Sequence, residues 1–340
     1  MVGGEDGLRL WTGAGALIVA AVLSAVLILL LRPLLQRYAL ARPNARSSHR
    51  VPTPQGGGIA VIAATVIVTI TATALLIGTS AEVLTVLAAA VFITVVGGVD
   101  DLRPLPVLAR LVLQALAVAA VIAVMPADIR IVPLLPAWTE RLCLFLGVIW
   151  LVNLVNFMDG IDWMTVAEVV PLTTAVVALA QLGAVPPPAT ILALALLGAT
   201  LGFAPFNKPV AKLFLGDVGS LPIGLLIGWQ LLQLARNAAP AAALLLPLYY
   251  VADASVTLIR RILAREPFWQ AHRNHFYQRA SDMGFSAPEI VTRVFATNLA
   301  LAGLALITVA KPEALVITLS LTIGAALVAW LLVSFSRKRR

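Results

Sequence analysis

Residues 148–164, VIWLVNLVNFMDGIDWM, place polar side chains directly after a run of apolar ones. Asn156, Asp159 and Asp162 follow one another at intervals of three, so on a helix they would share one broad face. A carboxylate at the edge of a hydrophobic segment is costly and needs a partner there, such as a cation, a metal or water. The stretch therefore predicts that an apolar helix ends at a polar site.

The composition indicates a membrane protein. The 340 residues are 61% hydrophobic and 12% charged, whereas soluble domains are about 45–50% apolar and about 25% charged. The net charge of +8 is compatible with a nucleic-acid partner, but the basic residues fall between apolar segments, which is the pattern of membrane topology. The single cysteine, Cys143, excludes an intramolecular disulfide.

The apolar segments predict about eleven transmembrane helices, since a spanning helix needs about 20 apolar residues. We therefore expect an all-α polytopic membrane protein in which residues 1–340 form a single integral membrane domain. The eleven candidate segments are 13–31, 57–78, 83–99, 108–126, 141–157, 163–182, 189–206, 219–235, 240–260, 292–310 and 314–334.

The distribution of basic residues predicts an outside N-terminus and a cytoplasmic C-terminus. With this orientation 18 of the 24 Lys and Arg residues lie on the inside and five on the outside. The active site is then expected at the cytoplasmic face. The cytoplasmic loops would be about 32–56, 100–107, 158–162, 207–218 and 261–291.

Five aspartates fall on that one face, at the ends of three apolar runs. Clustered carboxylates repel one another or recruit cations, and Mg²⁺ typically takes one or two carboxylates together with substrate phosphates. Carboxylates, a metal and nearby basic residues are the groups that phosphoryl transfer uses. Taken singly, each acid is also compatible with a simple helix end or a pair with Arg. The five are Asp100, Asp101, Asp159, Asp162 and Asp217.

Two loops carry further candidate chemistry. In 44–58 three glycines precede a helix, which would let backbone N–H groups approach an anion; a flexible loop before a helix is the alternative. In 265–279, His272, His275 and Arg279 are interleaved with aromatic residues, which suits anionic headgroups at a membrane interface. An interfacial segment without chemistry remains the alternative, and no cysteine or HExxH pattern supports zinc.

Two more acids lie within predicted segments. Glu168 is six residues after Asp162 and is able to face the same cavity. Asp253 has two interpretations, a functional acid inside the membrane or a partner for Arg260 or Arg261.

Five motifs, in this order along the chain, resemble those of the polyprenyl-phosphate N-acetylhexosamine-1-phosphate transferases, which are glycosyltransferase family 4. The family includes the phospho-MurNAc-pentapeptide transferase that forms lipid I and the enzymes that initiate O-antigen. The resemblance covers about two thirds of the chain. The motifs are SSHRVPTPQGGG (47–58), VGGVDDL (96–102), NFMDGID (156–162), KLFLGDVGS (212–220) and AHRNHFYQR (271–279).

The resemblance implies transfer of a sugar 1-phosphate from a UDP-N-acetylhexosamine to undecaprenyl phosphate, with release of UMP. It implies Mg²⁺, for which Mn²⁺ would substitute, at Asp217 and Asn156. It also implies a multi-pass protein of the bacterial inner membrane, surrounded by membrane lipids, without nucleic acid, and it allows a homodimer. The catalytic residues implied are Asp100, Asp101, Asp159, Asp217, His272 and His275.

The substrate-binding residues implied by the resemblance lie in the same motifs. Asp162 would contact the uracil ring, and Asn207 and Phe214 have the spacing of nucleoside contacts. The full set is His49, Arg50, Asn156, Asp162, Asn207, Phe214 and Arg279.

The loop 265–279, called the histidine loop below, is most similar in form to that of O-antigen initiators that use 6-deoxy donors such as UDP-FucNAc or UDP-QuiNAc. UDP-GlcNAc remains an alternative donor. Two departures concern the pocket: Trp163 stands where glycine is usual, and Arg103 and Arg110 stand in for a usual lysine. Two alternatives remain, a phospho-MurNAc-pentapeptide transferase and, in a different class, a cation-coupled transporter. A transporter predicts acids within the spans and inverted repeats.

Overall fold

The computed structural model describes residues 3–41, 52–126, 130–267 and 272–338. Helices form most of these ranges, and the long ones are joined by short turns. In chain order they are α1 Gly3–Tyr38, α2 Gly57–Leu76, α3 Ala81–Leu102, α4 Val107–Val124, α5 Ala137–Met158, α6 Met164–Gln181, α7 Pro187–Asn207, α8 Asp217–Arg236, α9 Pro240–Leu245, α10 Leu248–Leu263, α11 Phe276–Asp282, α12 Ala287–Ala310 and α13 Ala314–Phe335.

Within the described ranges, ten helices are long and apolar enough to cross a membrane: α1 to α8, α12 and α13. The all-α, multi-pass membrane fold is thus confirmed. The polar residues after Met158 do separate α5 from α6, as the sequence predicted.

The predicted segment 240–260 is not one helix. It forms α9 and α10, which are separated by Leu246 and Pro247. Pro247 has no N–H to donate and its ring crowds the carbonyl four residues earlier, which favours a break there. Proline alone does not decide it, since Pro171, Pro205 and Pro222 lie inside helices that continue.

The 16 residues of α10 reach about 24 Å at 1.5 Å per residue, less than the hydrocarbon core of about 30 Å. Together, α9 and α10 lead from the end of α8 at Arg236 back to the site end, where Asp253 contacts α11.

Helix α8 is the centre of the bundle, and nearly all of its side chains are buried. Glycines let neighbouring backbones touch it. A Cβ atom on Gly58 of α2 would lie 2.2 Å from the Cα atom of Gly219, and one on Gly97 of α3 would lie 2.4 Å from the carbonyl oxygen of Asp217. Small residues of this kind permit close packing of membrane helices. The start of α8 is thereby fixed between α2 and α3.

The other end of α8 is held by Glu82 at the start of α3. Its Oε1 atom accepts hydrogen bonds from Nε1 of Trp229 at 3.0 Å, Nε2 of Gln233 at 2.6 Å and the guanidinium of Arg236 at 2.8 Å. A carboxylate with several donors is stably placed in an apolar setting. The two helices are therefore fastened at both ends.

A small antiparallel sheet, which the sequence did not predict, closes the site end of the bundle. Its strands are β1, Leu40–Ala41, and β2, Thr53–Pro54. The next residue, Gln55, forms a parallel bridge with Phe214. The end of α1 and the start of α2 are thus attached to the loop that precedes Asp217.

Candidate active site

The acidic pair at the end of α3 meets the first residues of α8. Asp101 accepts hydrogen bonds from the backbone N–H groups of Asp217 at 3.0 Å and Val218 at 3.1 Å. Because the first N–H groups of a helix have no partner within it, a carboxylate there acts as a cap. Asp101 therefore fixes the place of Asp217.

Asp100 has different partners. Its Oδ1 atom accepts from the backbone N–H of Leu105 at 2.6 Å, and its Oδ2 atom lies 2.8 Å from a guanidinium nitrogen of Arg110. The same nitrogen is 3.8 Å from Oδ2 of Asp217. Arg110 thus stands between two predicted catalytic acids. Arg103, the other predicted substitute for lysine, is exposed just after α3.

The predicted metal residues are in direct contact. Nδ2 of Asn156, near the end of α5, donates to Oδ1 of Asp217 at 2.6 Å and to Oγ of Ser220 at 3.0 Å. The two residues are 61 positions apart in the sequence. The structure therefore brings together a carboxylate and an amide that the sequence assigned to one cation.

Asp159 follows α5 and is close enough to Asp101 and Asp217 to be affected by their charges. Asp100, Asp101, Asp159 and Asp217 are called the aspartate cluster below. The hydroxyl of Thr165 donates to Oδ1 of Asp159 at 2.5 Å. Burial raises the pKa of Asp159 to about 8, and the negative charges of Asp217, Asp101 and Asp162 add to that rise. A nearby cation would reverse this effect by favouring the carboxylate.

Asp162 and Asn207 hold the two site loops together. Asp162 accepts from the backbone N–H of Ala211 at 2.9 Å. Asn207 accepts from the N–H of Trp163 at 2.8 Å and donates to the carbonyl of Leu213 at 3.0 Å. These side chains are buried against the protein, and their contacts with a nucleotide remain predictions.

Trp163, at the usual glycine position, has a left-handed backbone with φ of 64°. Glycine adopts this conformation without steric cost. The indole N–H donates to the carbonyl of Ala204 at 2.7 Å, and about a third of the side chain is exposed. Trp163 begins α6 and lies along the end of α7, so the departure does not move the loop away from the site.

The glycine run has another role than the predicted one. The N–H groups of Gly56 and Gly57 donate to the carbonyl of Phe214 at 3.2 and 2.9 Å, and that of Gly58 donates to the carbonyl of Leu215. These groups are engaged by protein and do not face an anion. The expectation of an anion cradle was wrong. Gly58 packs against Gly219 of α8, Gly57 packs against Phe203 of α7, and Gly56 has a left-handed backbone with φ of 109°. Phe214 itself is half-buried beside them.

The histidine loop reaches the site from the other side. The ring of His275 is buried and stacks on His272, with centroids 5.0 Å apart, and on Phe157 of α5 at 6.1 Å. Burial lowers the pKa of His272 to about 4, with smaller contributions from His275 and Arg261. His272 is therefore a neutral imidazole near pH 7. Arg279 lies one turn later on α11 and is half-exposed.

Asp253 is the residue that places this loop. The carboxylate is fully buried on α10 and accepts from the N–H groups of Phe276 at 2.9 Å and Tyr277 at 3.1 Å. Nδ1 of His275 lies 3.4 Å from its Oδ1 atom. Asp253 thus caps α11 from a different helix. The hydroxyl of Tyr277 then donates to the carbonyl of Phe157 at 2.9 Å, which joins α11 to α5.

The predicted pairing of Asp253 with Arg260 or Arg261 is wrong. The guanidinium of Arg260 lies 4.9 Å from the ring centre of Phe276, and Arg261 pairs with Glu266 at 2.7 Å. Backbone amides satisfy the buried carboxylate in place of a cation.

Glu168 is buried between helices. It accepts from Nδ2 of Asn298 at 2.7 Å, which links α6 to α12. None of its hydrogen bonds among the described residues joins the aspartate cluster. Two further predicted residues, His49 and Arg50, lie outside the described residues.

The structure adds two residues to the site set that the motifs gave. Arg110 bridges Asp100 and Asp217, and Asp253 positions α11. The first had a sequence signal, since the resemblance named Arg110 with Arg103 as a substitute for the usual lysine. The partner of Asp253 had none, because a backbone amide leaves no mark in the sequence.

Comparison with known proteins gives a consistent family. Residues 83–235 match the model described as glycosyl transferase family 4. The chain is 30% identical over 294 residues to the probable undecaprenyl-phosphate N-acetylglucosaminyl 1-phosphate transferase of Bacillus subtilis, covering 79% of this chain and 78% of that protein.

More distant relatives agree. The decaprenyl-phosphate N-acetylglucosaminephosphotransferase of Mycobacterium leprae is 28% identical over 294 residues. The match covers 76% of this chain and 73% of that protein. A phospho-N-acetylmuramoyl-pentapeptide-transferase of Limosilactobacillus reuteri is 36% identical, but only over 92 residues, which are 26% of this chain and 28% of that protein.

Proposed function

Since the chain belongs to glycosyl transferase family 4, we propose that it transfers an N-acetylhexosamine 1-phosphate from a UDP-sugar to a polyprenyl phosphate and releases UMP. The observation that carries the proposal is the meeting of Asp100, Asp101, Asn156 and Asp217 with Arg110 at one end of a membrane bundle. We propose that the charged donor reaches this site from the aqueous side and the lipid from the bilayer.

The residues fit a Mg²⁺ ion that is completed by substrate. Among the described residues, no three His, Cys, Asp or Glu side chains converge closely enough to hold a metal alone. Rotating the side-chain amide of Asn156 by 180° exchanges its nitrogen and oxygen, so that its oxygen lies beside Oδ1 of Asp217. The two residues then offer two oxygen ligands side by side. Mg²⁺ commonly takes one or two protein oxygens and fills its shell with phosphate and water. When bound, the ion would neutralise charge on the diphosphate and on the departing UMP.

The reaction needs little covalent chemistry from the protein. A phosphate oxygen of the lipid attacks the β-phosphorus of the donor, and the bond from that phosphorus to the bridging oxygen breaks. The electron pair leaves with UMP, and the product is a lipid diphosphate that carries the sugar. Catalysis is then mainly positioning and charge stabilisation.

The protein's own groups divide this work. The guanidinium of Arg110 is a cation between Asp100 and Asp217, where a phosphate group would otherwise be repelled by the carboxylates. Asp101 holds the start of α8 in place. The neutral imidazole of His272 suits hydrogen bonding to the donor, whereas a cation would be required for ionic binding of phosphate.

The relatives that match most of the chain favour N-acetylglucosamine as the sugar. Their names specify N-acetylglucosamine and undecaprenyl or decaprenyl phosphate, and the phospho-N-acetylmuramoyl-pentapeptide relatives match about a quarter to a third of the chain. We therefore propose UDP-GlcNAc with undecaprenyl phosphate as the first pair to test. UDP-FucNAc and UDP-QuiNAc follow as alternative donors, since the sequence motifs favour them.

The proposed location is the bacterial inner membrane, with the site at the cytoplasmic face. The excess of basic residues at the site end supports this orientation. The product would begin O-antigen or another cell-envelope polysaccharide.

The test is UMP release by purified protein in detergent with UDP-GlcNAc and undecaprenyl phosphate, with Mg²⁺ or with EDTA. We expect release that needs both the lipid and the metal. Asp217→Asn should abolish release, and Asp282→Asn, a matched change at an exposed position, should not. UMP release without lipid, or unchanged release by Asp217→Asn, would contradict the proposal.

A further inference from the structure

A cavity lies at the site end of the bundle, beside the turn that joins α11 to α12. It has a volume of about 310 Å³ and lies between the start of α12 and the end of α13. Its inner wall is Phe285, whose ring packs edge-on against Phe335 at 5.9 Å. The residues described above for donor and metal do not line it.

The mouth of the cavity is positively charged. Arg293, Arg337 and Lys338 line it, and among the described residues none of the three is in an ion pair. The guanidinium of Arg293 lies 4.6 Å from the ring centre of Phe285, so it is fixed over an aromatic face. This concentration of unneutralised cations favours an anionic occupant.

The outer wall is apolar and exposed. Trp330 is 64% exposed and Val333 is 48% exposed, both on the last turns of α13. Tryptophan is enriched where membrane and water meet, because its ring is apolar and its N–H is polar. A site with a cationic mouth and an exposed apolar wall matches a molecule that has an anionic head and an acyl tail.

We propose that this cavity binds the headgroup of an anionic diacyl phospholipid, with one acyl chain along Trp330. A free phosphate ion would use the cations but not the apolar wall, and a second protein copy would cover the wall but leave the cations without partners. The volume accommodates a phosphoglycerol headgroup. The bound lipid would join the ends of α12 and α13 behind the histidine loop.

The test uses quenching of Trp330 fluorescence in vesicles. The protein is placed in vesicles that contain the same fraction of either dibrominated phosphatidylglycerol or dibrominated phosphatidylcholine. Subtracting the Trp330→Phe variant isolates the signal of Trp330 from the other six tryptophans. We expect the phosphatidylglycerol to quench Trp330 several-fold more efficiently than phosphatidylcholine.

Two variants and a matched control identify the site. Arg337→Gln/Lys338→Gln and, separately, Arg293→Gln should reduce the preference for phosphatidylglycerol. Arg32→Gln/Arg37→Gln removes two charges at the same end of the bundle, on α1, and should leave the preference intact. Equal quenching by the two lipids, or a preference that survives both pocket variants, would overturn the proposal. If a second protein copy covered the apolar wall, both brominated lipids would be kept from Trp330, and its quenching would be weak and equal.

Discussion

The backbone N–H of Asp217 donates a 3.0 Å hydrogen bond to Oδ1 of Asp101, so one acid of the site caps the helix that another begins. The two acids of the VGGVDDL motif therefore differ in role. Asp101 is fixed by backbone amides, and Asp100 is held by Arg110. Such a division predicts different outcomes when each is replaced.

Asp101→Ala should lower stability as well as transfer. It removes the acceptor for two N–H groups at the start of α8, and loss of a helix cap costs about 0.5–2 kcal/mol. Thermal unfolding in detergent should show a lower midpoint for Asp101→Ala than for the wild type. Asp282→Ala, at an exposed position on α11, should retain the wild-type midpoint. An unchanged midpoint for Asp101→Ala would contradict the capping role.

Arg110→Gln should reduce transfer by about 10–100-fold, since a hydrogen bond to a charged group contributes about 1.5–3 kcal/mol and 1.4 kcal/mol is a factor of ten. The initial rate of UMP release measures this. Arg103→Gln, which removes an exposed charge from the neighbouring turn, should change the rate by no more than about twofold. Similar losses in the two variants would show that only the general charge of the loop matters.

Asp253→Asn should loosen the histidine loop while leaving the aspartate cluster in place. The two oxygens of Asp253 each accept from a backbone N–H of α11. An asparagine there has one oxygen acceptor and one NH₂ donor, so one of the two capping hydrogen bonds is lost. We expect the KM for the UDP-sugar to rise about tenfold, with a smaller fall in kcat. Trypsin cleavage within 264–275 should become faster.

The control is Asp282→Asn on α11, the short helix that Asp253 caps. It should alter neither KM nor the rate of cleavage. If Asp253→Asn lowered kcat with KM unchanged, the carboxylate would act in the chemical step and not through the loop.

The lowered pKa of His272 predicts that the folded protein loses stability as the pH falls. The pKa of His272 is lowered from 6.5 to about 4 in the folded protein, so the unfolded chain binds the proton more readily. The stabilising contribution is complete above pH 6.5 and is lost as the pH falls through about 4. His272→Gln should therefore lessen the fall in thermal midpoint between these two values. A midpoint that depends on pH equally in both proteins would contradict the lowered pKa.

The helices of the membrane bundle could be predicted because a spanning helix must be long and apolar, whatever it contacts. The break at Pro247 had no distinctive signal, because Pro171, Pro205 and Pro222 lie inside predicted segments that form unbroken helices. The alternation of apolar runs and acids predicted that the aspartates would lie on one face, and the family resemblance paired Asn156 with Asp217. Asn156 and Asp217 are in contact as expected, although 61 positions separate them.

Contacts to the backbone could not be predicted in this way. Asp253 is satisfied by amides 23 and 24 positions away, whereas its sequence neighbours Arg260 and Arg261 have other partners. The glycine run looked like an anion loop, because glycines for close helix packing and glycines for anion binding have the same sequence. Only tertiary structure distinguishes the two uses.

The most direct test of the central claim is to follow the β-phosphate of the donor. Purified protein would be incubated with undecaprenyl phosphate, Mg²⁺ and UDP-GlcNAc labelled with ³²P at the β-phosphate, and the lipid and water phases would then be separated. Transfer of a sugar 1-phosphate predicts that the label moves into the lipid phase and that the released UMP is unlabelled. Label that stays in water as UDP, while the sugar enters the lipid, would contradict the account.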